Sequence, residues 1–371
     1  MIIAVNTRLN KNEQPEAYEH FLFTLLDALT ANYPRHQFIF IFDKPYDQDR
    51  LFAKNVLPVI AGPETTTSLR LQYWFNYKIP ATLRKHKAEV FLSLEGICSL
   101  RTNVPQCLLI SDCSFLQPAS ANRKKQVRFF KKFTAAFLTK AASLAAVSEY
   151  ARSTLAAHYQ LSEEAIAVIR PAVANIFRPV PWEGKEGIKE QYADSKAYFL
   201  CPGDSRQINL INLLKAFTLF KKRQKSNMLL LITGMVDDVF KKELSSYTFR
   251  NEVVLLENLS RSELASVIAA AYALVYPVLY TDLAIPVLQA VQSGVPVIVS
   301  NNGSLRSICG NAALYVDFQN IANIAENMML VFKDESLAKS LTDEGKLLIK
   351  EHQGEKSAEL LMQCIQKAVD S

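Results

Sequence analysis

The residues of this chain best placed to do chemistry lie between 273 and 300, which read ALVYPVLYTDLAIPVLQAVQSGVPVIVS. ALVYPV has the unbroken apolar character of a buried strand. YTDLAI follows at its carboxyl end, the edge at which open α/β sheets bind ligands. Pro286 then falls in the first turn of a helix, where its missing N–H costs no hydrogen bond. That helix, IPVLQAVQS, is expected to stop at Gly294, which takes a left-handed cap without strain. A strand–loop–helix of this kind aims backbone amides and the positive end of a helix dipole at the loop, which suits a diphosphate. An ordinary βαβ unit with an empty loop has the same shape, so spacing alone leaves both readings open.

Other reactive residue types are scattered. The six cysteines, Cys98, Cys107, Cys113, Cys201, Cys309 and Cys364, form no CxxC pair and have no histidine at metal-ligand spacing. Most sit in apolar stretches and are expected to be buried structural thiols in a reducing compartment, with no metal site. There is no GxGxxG, which counts against a dinucleotide-dependent oxidoreductase. Residues 1–178 carry 22 Lys and Arg against 14 Asp and Glu, a net +8, whereas the remainder carries 20 against 22, a net −2. The basic half predicts an anionic partner, though not by itself a nucleic acid. NRKKQVRFFKKF (122–133) has helical spacing, with Phe129, Phe130, Phe133 and Phe137 on or near one side. It reads as a solvated basic helix packing its phenylalanines on a core; the sharper reading is a peripheral membrane contact through 122–137 on anionic lipid.

The elements that must position these residues follow from the apolar pattern. IIAVN (2–6), FIFIF (38–42), EVFLSL (89–94), QCLLIS (106–111), LAAVSE (144–149) and AIAVIRP (165–171) read as strands, with helix-patterned stretches such as 18–32 between several of them. Residues 175–197, with two prolines, two glycines and a charge run, read as a linker. The alternation then restarts with YFLCPG (198–203), MLLLITG (228–234), VVLLEN (253–258), ALVYPV (273–278) and VPVIVS (295–300). Two such series predict two Rossmann-like, doubly wound parallel-sheet domains facing each other across a cleft. The expected division is an N-terminal domain at 1–175, a C-terminal domain at 176–350, and a helix at 351–371 that packs back on the first domain. MIIAVNTRLN opens as a strand and lacks the plan of a signal peptide. No apolar run approaches the roughly 20 residues that span a bilayer, so a cytoplasmic protein is expected.

Segment 271–317 resembles the donor-site signature of family-4 (group 1) glycosyltransferases, a retaining group of GT-B architecture. Other stretches resemble that family in the same order: 145–179 before the interdomain linker, YFLCPGDSRQINLINLLKAF (198–217) at the start of the C-terminal domain, 251–277 leading into the signature, and LLISDCSFLQP (108–118) beside the cleft. The resemblance covers nearly the whole chain and is weakest over 1–90. It implies a metal-independent transfer, without cofactor, of a sugar from a nucleotide-diphospho-sugar donor to a glycan or lipid-linked acceptor, with retention; a peripheral position at the inner face of the membrane is the sharper alternative to a cytoplasmic one. The leaving diphosphate needs cations and N–H donors, and the sugar hydroxyls need fixed carboxylates. No role in nucleic-acid binding is implied.

The chemistry-bearing positions depart from the family pattern. Its two glutamates, one on the sugar and one on the ribose, correspond to Thr281 and Gln289. Gln289 retains one acceptor oxygen for a ribose hydroxyl, while Thr281 cannot replace a carboxylate and Asp282 stands one residue away. Ala284 occupies the place of a glycine that lets the phosphate approach, next to Ile285 and Pro286. Of the diphosphate cations only Arg206 remains, with Asp204 after Gly203 and Ile208 before Asn209. In the N-terminal domain the family's histidine is Ser111, followed by Asp112, and the glycine-rich loop after the first strand is TRLNKNEQPEAY, without glycine. Arg306 and Ser307 replace the usual Pro and acid. Either the donor is held in an unusual way, or catalysis has been lost and the chain serves as partner or scaffold of an active transferase. A sugar-nucleotide epimerase ranks third. His20 is a further candidate for the acceptor side, and Glu95 reads as a solvated loop carboxylate, with contact to an acceptor hydroxyl as the sharper alternative.

Overall fold

Strands that are apolar at both odd and even positions must be covered on both faces, and the short apolar runs of this chain are. The computed structural model describes residues 1–9, 16–46, 53–117, 124–203 and 209–371. The chain divides into two compact units, Met1–Ala172 with His352–Ser371, and Val173–Glu351.

The first unit holds a seven-stranded parallel sheet of β1 (Ile2–Asn6), β2 (Gln37–Phe42), β3 (Val56–Ile60), β4 (Val90–Ser93), β5 (Gln106–Ile110), β6 (Ser143–Ala146) and β7 (Ile166–Val168), in the order β3-β2-β1-β4-β5-β6-β7. The second holds β8 (Tyr198–Pro202), β9 (Leu229–Thr233), β10 (Val253–Leu256), β11 (Ala273–Tyr276), β12 (Val297–Ser300) and β13 (Ala313–Val316), in the order β10-β9-β8-β11-β12-β13. Every strand pairing in both sheets is parallel. In each sheet the chain first moves outward from its opening strand and then returns to that strand's other side. The reversals, between β1 and β4 and between β8 and β11, are where an α/β sheet opens a crevice at its carboxyl edge.

Side-chain alternation gives the second unit a core on each face of its sheet. Tyr198, Leu200, Leu229, Leu231, Leu274, Val297 and Val299 belong to one buried cluster. Their neighbours Phe199, Cys201, Leu230, Ile232, Ala273, Val275 and Ile298 belong to the other. In the first unit the helix Gly354–Val369 lies against the helix Glu16–Asn32 and against β4 to β7. Ser143 Oγ donates to Cys364 O at 2.8 Å, Ser357 Oγ donates to Arg170 O at 2.7 Å, and buried His352 sets Nδ1 2.7 Å from Pro171 O.

Three expectations are corrected. Residues 182–193 of the expected linker form the helix Trp182–Ala193, with Ala193 buried and Ile188 and Tyr192 packed on the second unit's core. Its two glycines cost roughly 1 kcal/mol each in propensity, and packing of the apolar side offsets that. Val56–Ile60 and Ala313–Val316 are edge strands that the apolar pattern alone does not reveal. The helix expected at 351–371 is shorter, Gly354–Val369, and a separate helix, Glu335–Ile349, precedes it.

All six cysteines are buried and unpaired with one another. Loss of hydration pushes the Cys98, Cys107 and Cys309 thiols up to about 12, and Cys364 to about 11. At pH 8 such a thiol is ionised less than roughly once in a thousand molecules. Ellman's reagent is therefore expected to label no cysteine of the folded protein within minutes and all six after unfolding; rapid labelling of a native thiol would contradict this packing.

Candidate functional site

Around the β8/β11 switch point the described carboxyl edge of the second sheet is held largely by backbone and uncharged side-chain hydrogen bonds. β8 is followed directly by Gly203, whose N–H donates to Thr233 O on β9 at 2.5 Å. A Cβ at this position would lie 2.7 Å from Ile232 Cγ2 and 3.0 Å from Thr233 O, so the strand end packs against β9 only because the residue is glycine. Asn209 caps the helix Leu210–Gln224 by accepting the Asn212 N–H at 3.1 Å, and its own N–H donates to Pro277 O at 3.1 Å. It thereby fastens the segment after β8 to the segment after β11, across the switch point.

The loop after β11 is pinned from the next βα turn. Asn302 Nδ2 donates to Leu279 O at 3.4 Å, and Ser304 Oγ donates to Thr281 O at 2.5 Å. Within the loop, Tyr280 Oη donates to Asp282 Oδ1 at 2.5 Å, and the Ala284 N–H donates to Thr281 Oγ1 at 3.3 Å. The chain then turns into the helix Ile285–Gln292 through Ala284, whose φ of 48° and ψ of 29° are left-handed. Such a conformation costs an L-residue about 1 kcal/mol or more, and it explains why glycine is the natural occupant here. Pro286 carries no N–H, and the amides of Val287 and Leu288 both return to Ala284 O at 3.0 Å. The Ile285 amide and the helix dipole are what this turn offers an anion. The helix ends as its sequence demands: Gly294 has φ of +71° and its N–H donates to Val291 O.

Asp282, Ala284, Ile285 and Gln289 are all buried, whereas Thr281 is half-buried. Thr281 thus shapes the loop with its hydroxyl, and the Asp282 carboxylate receives the Tyr280 phenol. Gln289 lies one turn into the helix. Gln292, on the same helix, donates to Ala174 O at 3.0 Å and to Phe177 O at 2.8 Å, tying the helix to the start of the unit. Arg206, Asp204 and Ile208 lie outside the described residues. The Arg306 guanidinium sits 4.5 Å from the centre of the Tyr315 ring.

The carboxyl edge of the first sheet is built from charges. Arg8, two residues beyond β1, grips Glu95, two residues beyond β4, with Nη2 to Oε2 at 2.7 Å and Nε to Oε1 at 3.1 Å. Their side chains are 3% and 5% exposed. Glu95 is therefore not the solvated carboxylate expected from sequence; its partner stands 87 residues away, where no local pattern could show it. Asn6 Nδ2 donates to Glu95 Oε1 at 2.5 Å, and Arg8 Nη1 donates to Thr65 Oγ1 at 3.1 Å. The Thr65 hydroxyl and amide in turn donate to Asp43 Oδ2 at 2.6 and 2.8 Å. Tyr18 Oη donates to Leu94 O at 3.1 Å, and burial, reinforced by the Glu95 charge, pushes this phenol well above its ordinary range against Arg8 and a hydrogen bond with Ser111. Ser111 is buried beside this network, while Asp112 is exposed and accepts the Ser114 N–H at 2.7 Å. His20, on the helix Glu16–Asn32, is half-buried. Sequence reading passed over Asn6, Arg8, Asp43 and Thr65. The available signal was a polar or charged residue immediately after an apolar strand.

On the helix Lys124–Lys140, Lys125, Arg128, Lys131 and Lys132 are exposed, and Phe129 and Phe137 are buried. Among the described residues no group of three His, Cys, Asp or Glu could hold a metal ion, and no helix is long and apolar enough to cross a membrane.

Two doubly wound parallel sheets of this strand order define the GT-B glycosyltransferase architecture. WaaG, a glycosyltransferase involved in lipopolysaccharide biosynthesis, superposes with a TM-score of 0.76 at 14% identity, covering 97% of this chain and 99% of its own. Anabaena HepE, solved in complex with UDP-glucose, superposes with a TM-score of 0.73 at 12% identity over 99% of both chains. Residues 188–348 match the family model described as glycosyl transferases group 1. O-antigen chain mannosyltransferase B of Escherichia coli is 25% identical over 239 residues; the match spans 63% of this chain and 63% of that relative's own length.

Two substitutions test this geometry by chemical denaturation. Thr281→Ala removes the acceptor of the Ala284 N–H and is expected to cost about 1 kcal/mol, with Thr281→Ser nearly silent. Glu95→Gln leaves the Arg8 charge buried without its partner and is expected to cost about 3–5 kcal/mol. Equal and small effects of Glu95→Gln and Thr281→Ser would refute the buried pair.

Proposed function

We propose that the protein is a retaining, metal-independent glycosyltransferase that moves a hexose from a nucleotide-diphospho-sugar to a hydroxyl of a glycan or lipid-linked glycan. The observation that carries this reading is the group 1 glycosyltransferase sequence of 188–348 folded so that the helix Ile285–Gln292 begins beside the β8/β11 switch point. There the Ile285 amide and the helix dipole favour the developing charge of the leaving diphosphate, and Arg206 supplies the cation. Gln289 meets the ribose through its amide. Thr281 and Asp282 set the loop against the sugar, and Ala284 holds the left-handed turn that brings the backbone to the phosphates.

The mannosyltransferase named above makes a nucleotide-activated mannose, tested as GDP-mannose, the first donor to try, and the UDP-glucose held by HepE makes UDP-glucose the second. The first unit, basic in composition, takes the acceptor. The exposed lysines and arginine of the helix Lys124–Lys140 favour an acceptor on an anionic lipid surface. Because Phe129 and Phe137 are buried, the contact there is electrostatic and is screened by salt.

A thermal-shift panel of GDP-mannose, UDP-glucose and other nucleotide-sugars tests the reading. A donor at about a hundred times its Kd stabilises a protein by about 2.7 kcal/mol, so one member of the panel should raise Tm by several degrees. Arg206→Ala should weaken that donor about tenfold, the effect of one lost charge-assisted contact. Transfer should persist in excess EDTA. A panel that leaves Tm unmoved would reduce the chain to a non-catalytic partner with the same architecture.

A further inference from the structure

A surface helix of a globular protein turns its apolar residues inward and its charged residues outward. One helical rod of the first unit is apolar on both sides. It runs without a break as the α-helix Ser68–Tyr73, the π-turn Trp74–Lys78 and the α-helix Ile79–Lys85. Leu71, Trp74, Phe75, Ile79 and Leu83 are buried, and Trp74 Nε1 donates to Ala61 O at 2.5 Å, just beyond β3. The outer side carries Leu69, Tyr73, Tyr77 and Ala81, all exposed and spaced by four residues. Leu69 is 79% exposed, Tyr73 45% and Tyr77 49%. On a regular α-helix this spacing drifts by about 40° per step, or about 120° from residue 69 to residue 81. The π-turn inserts one residue and reverses about 100° of that drift, so the four side chains stay on one face. Such turns are rare and concentrate at functional sites. The face is also stiff. The Tyr73 and Tyr77 rings stack with centroids 5.4 Å apart, and the Arg101 guanidinium sits 4.6 Å from the centre of the Tyr77 ring. Side chains ordered in advance lose little entropy when a partner covers them.

The pattern of the face narrows what covers it. It is large at the Leu69 end and small at the Ala81 end. Laid antiparallel on a second such rod, about a twofold axis between Tyr73 and Tyr77, Leu69 of each copy meets Ala81 of the other and Tyr73 meets Tyr77. Arg70 then falls opposite Pro80 and Arg84 opposite Thr66, so no like charges oppose each other. A parallel overlay would set Arg70 against Arg70 and Arg84 against Arg84. The stripe itself holds no charge, which disfavours an anionic surface as its cover. Its three large side chains expose roughly 400 Å², as much as the largest patch on a typical monomer. A twofold contact uses the patch twice. With Ala81, and with Thr66, Arg70 and Arg101 at the margin, two copies bury about 1,200 Å², the area at which specific interfaces begin. Strand addition at the neighbouring edge strand β3 is a poorer route, because its central Pro58 has no N–H for a further ladder. We propose that the face formed by Leu69, Tyr73, Tyr77 and Ala81 docks a second copy of this chain in an antiparallel twofold contact.

Sedimentation velocity of the full chain tests the proposal. The wild type should dimerise with a dissociation constant of about a micromolar, and the dimer should persist at high salt because the stripe is uncharged. Leu69→Glu, at a solvent-facing position, should leave Tm unchanged and weaken the dimer by about tenfold or more. A variant carrying both Leu69→Cys and Ala81→Cys tests the register and does not depend on the charge variant. Within one copy the two positions lie about 18 Å apart along the rod and cannot form a disulfide. Across the twofold axis they meet, so mild oxidation should give a covalent dimer, while either single-cysteine variant should stay monomeric on a denaturing gel. The six native cysteines are buried and do not compete. A wild type that stays monomeric at every concentration overturns the proposal. So does a dimer untouched by Leu69→Glu, or cross-linking that a single-cysteine variant reproduces. A monomer that instead sediments with phosphatidylglycerol vesicles, and loses them on Leu69→Glu, assigns the face to lipid and also overturns it.

Discussion

Everything in this protein that could do chemistry is placed by one constraint, the reversal of strand order beside the first strand of each parallel sheet. Right-handed crossovers oblige the connections on either side of β8 and of β1 to leave the carboxyl edge toward opposite faces of the sheet. Two loops therefore part at the same point, and the backbone there loses its ladder partners. The second unit meets that loss with Asn209, which bonds Pro277 O across the gap, and with Asn302 and Ser304, which hold the carbonyls of Leu279 and Thr281. The left-handed turn at Ala284 is sustained by that scaffolding, since a strained backbone persists only where its surroundings determine it.

The two carboxyl edges solve the problem with different chemistry. In the second unit the described polar contacts of the loop after β11 are neutral, apart from the Asp282 carboxylate that the Tyr280 hydroxyl covers. The positive end of the helix Ile285–Gln292 faces that loop, and its field suits an anion. In the first unit a bidentate ion pair is buried among Asn6, Thr65 and Asp43. Buried pairs of this kind add little net stability over an apolar core, yet they fix orientation, because any other arrangement strands a charge. The first edge is thus held rigidly by its own charged network.

How much of this was legible in the sequence depends on how local each determinant is. β1, β2, β4, β8, β9, β11 and β12 could be read because both of their faces are buried, so their apolar runs are unbroken. β3 could not, since it is an edge strand with Pro58 at its centre and Leu57 and Ile60 exposed. β13 is likewise a short edge strand, half-buried at Leu314 and Tyr315. The helix Trp182–Ala193 was masked by prolines before it and glycines within it. At the site, the stop at Gly294 and the special backbone at Ala284 follow from residue type. The partners of Glu95, Thr281 and Pro277 do not, because each is supplied by a distant segment.

The claim on which the account turns is that the first turn of the helix Ile285–Gln292 receives the pyrophosphate of a nucleotide-sugar. A crystal structure of the full chain soaked with GDP or UDP measures this directly. The account predicts phosphate density beside the Ile285 amide with the ribose toward Gln289. Nucleotide bound anywhere else, or none bound at saturating concentration, would contradict it.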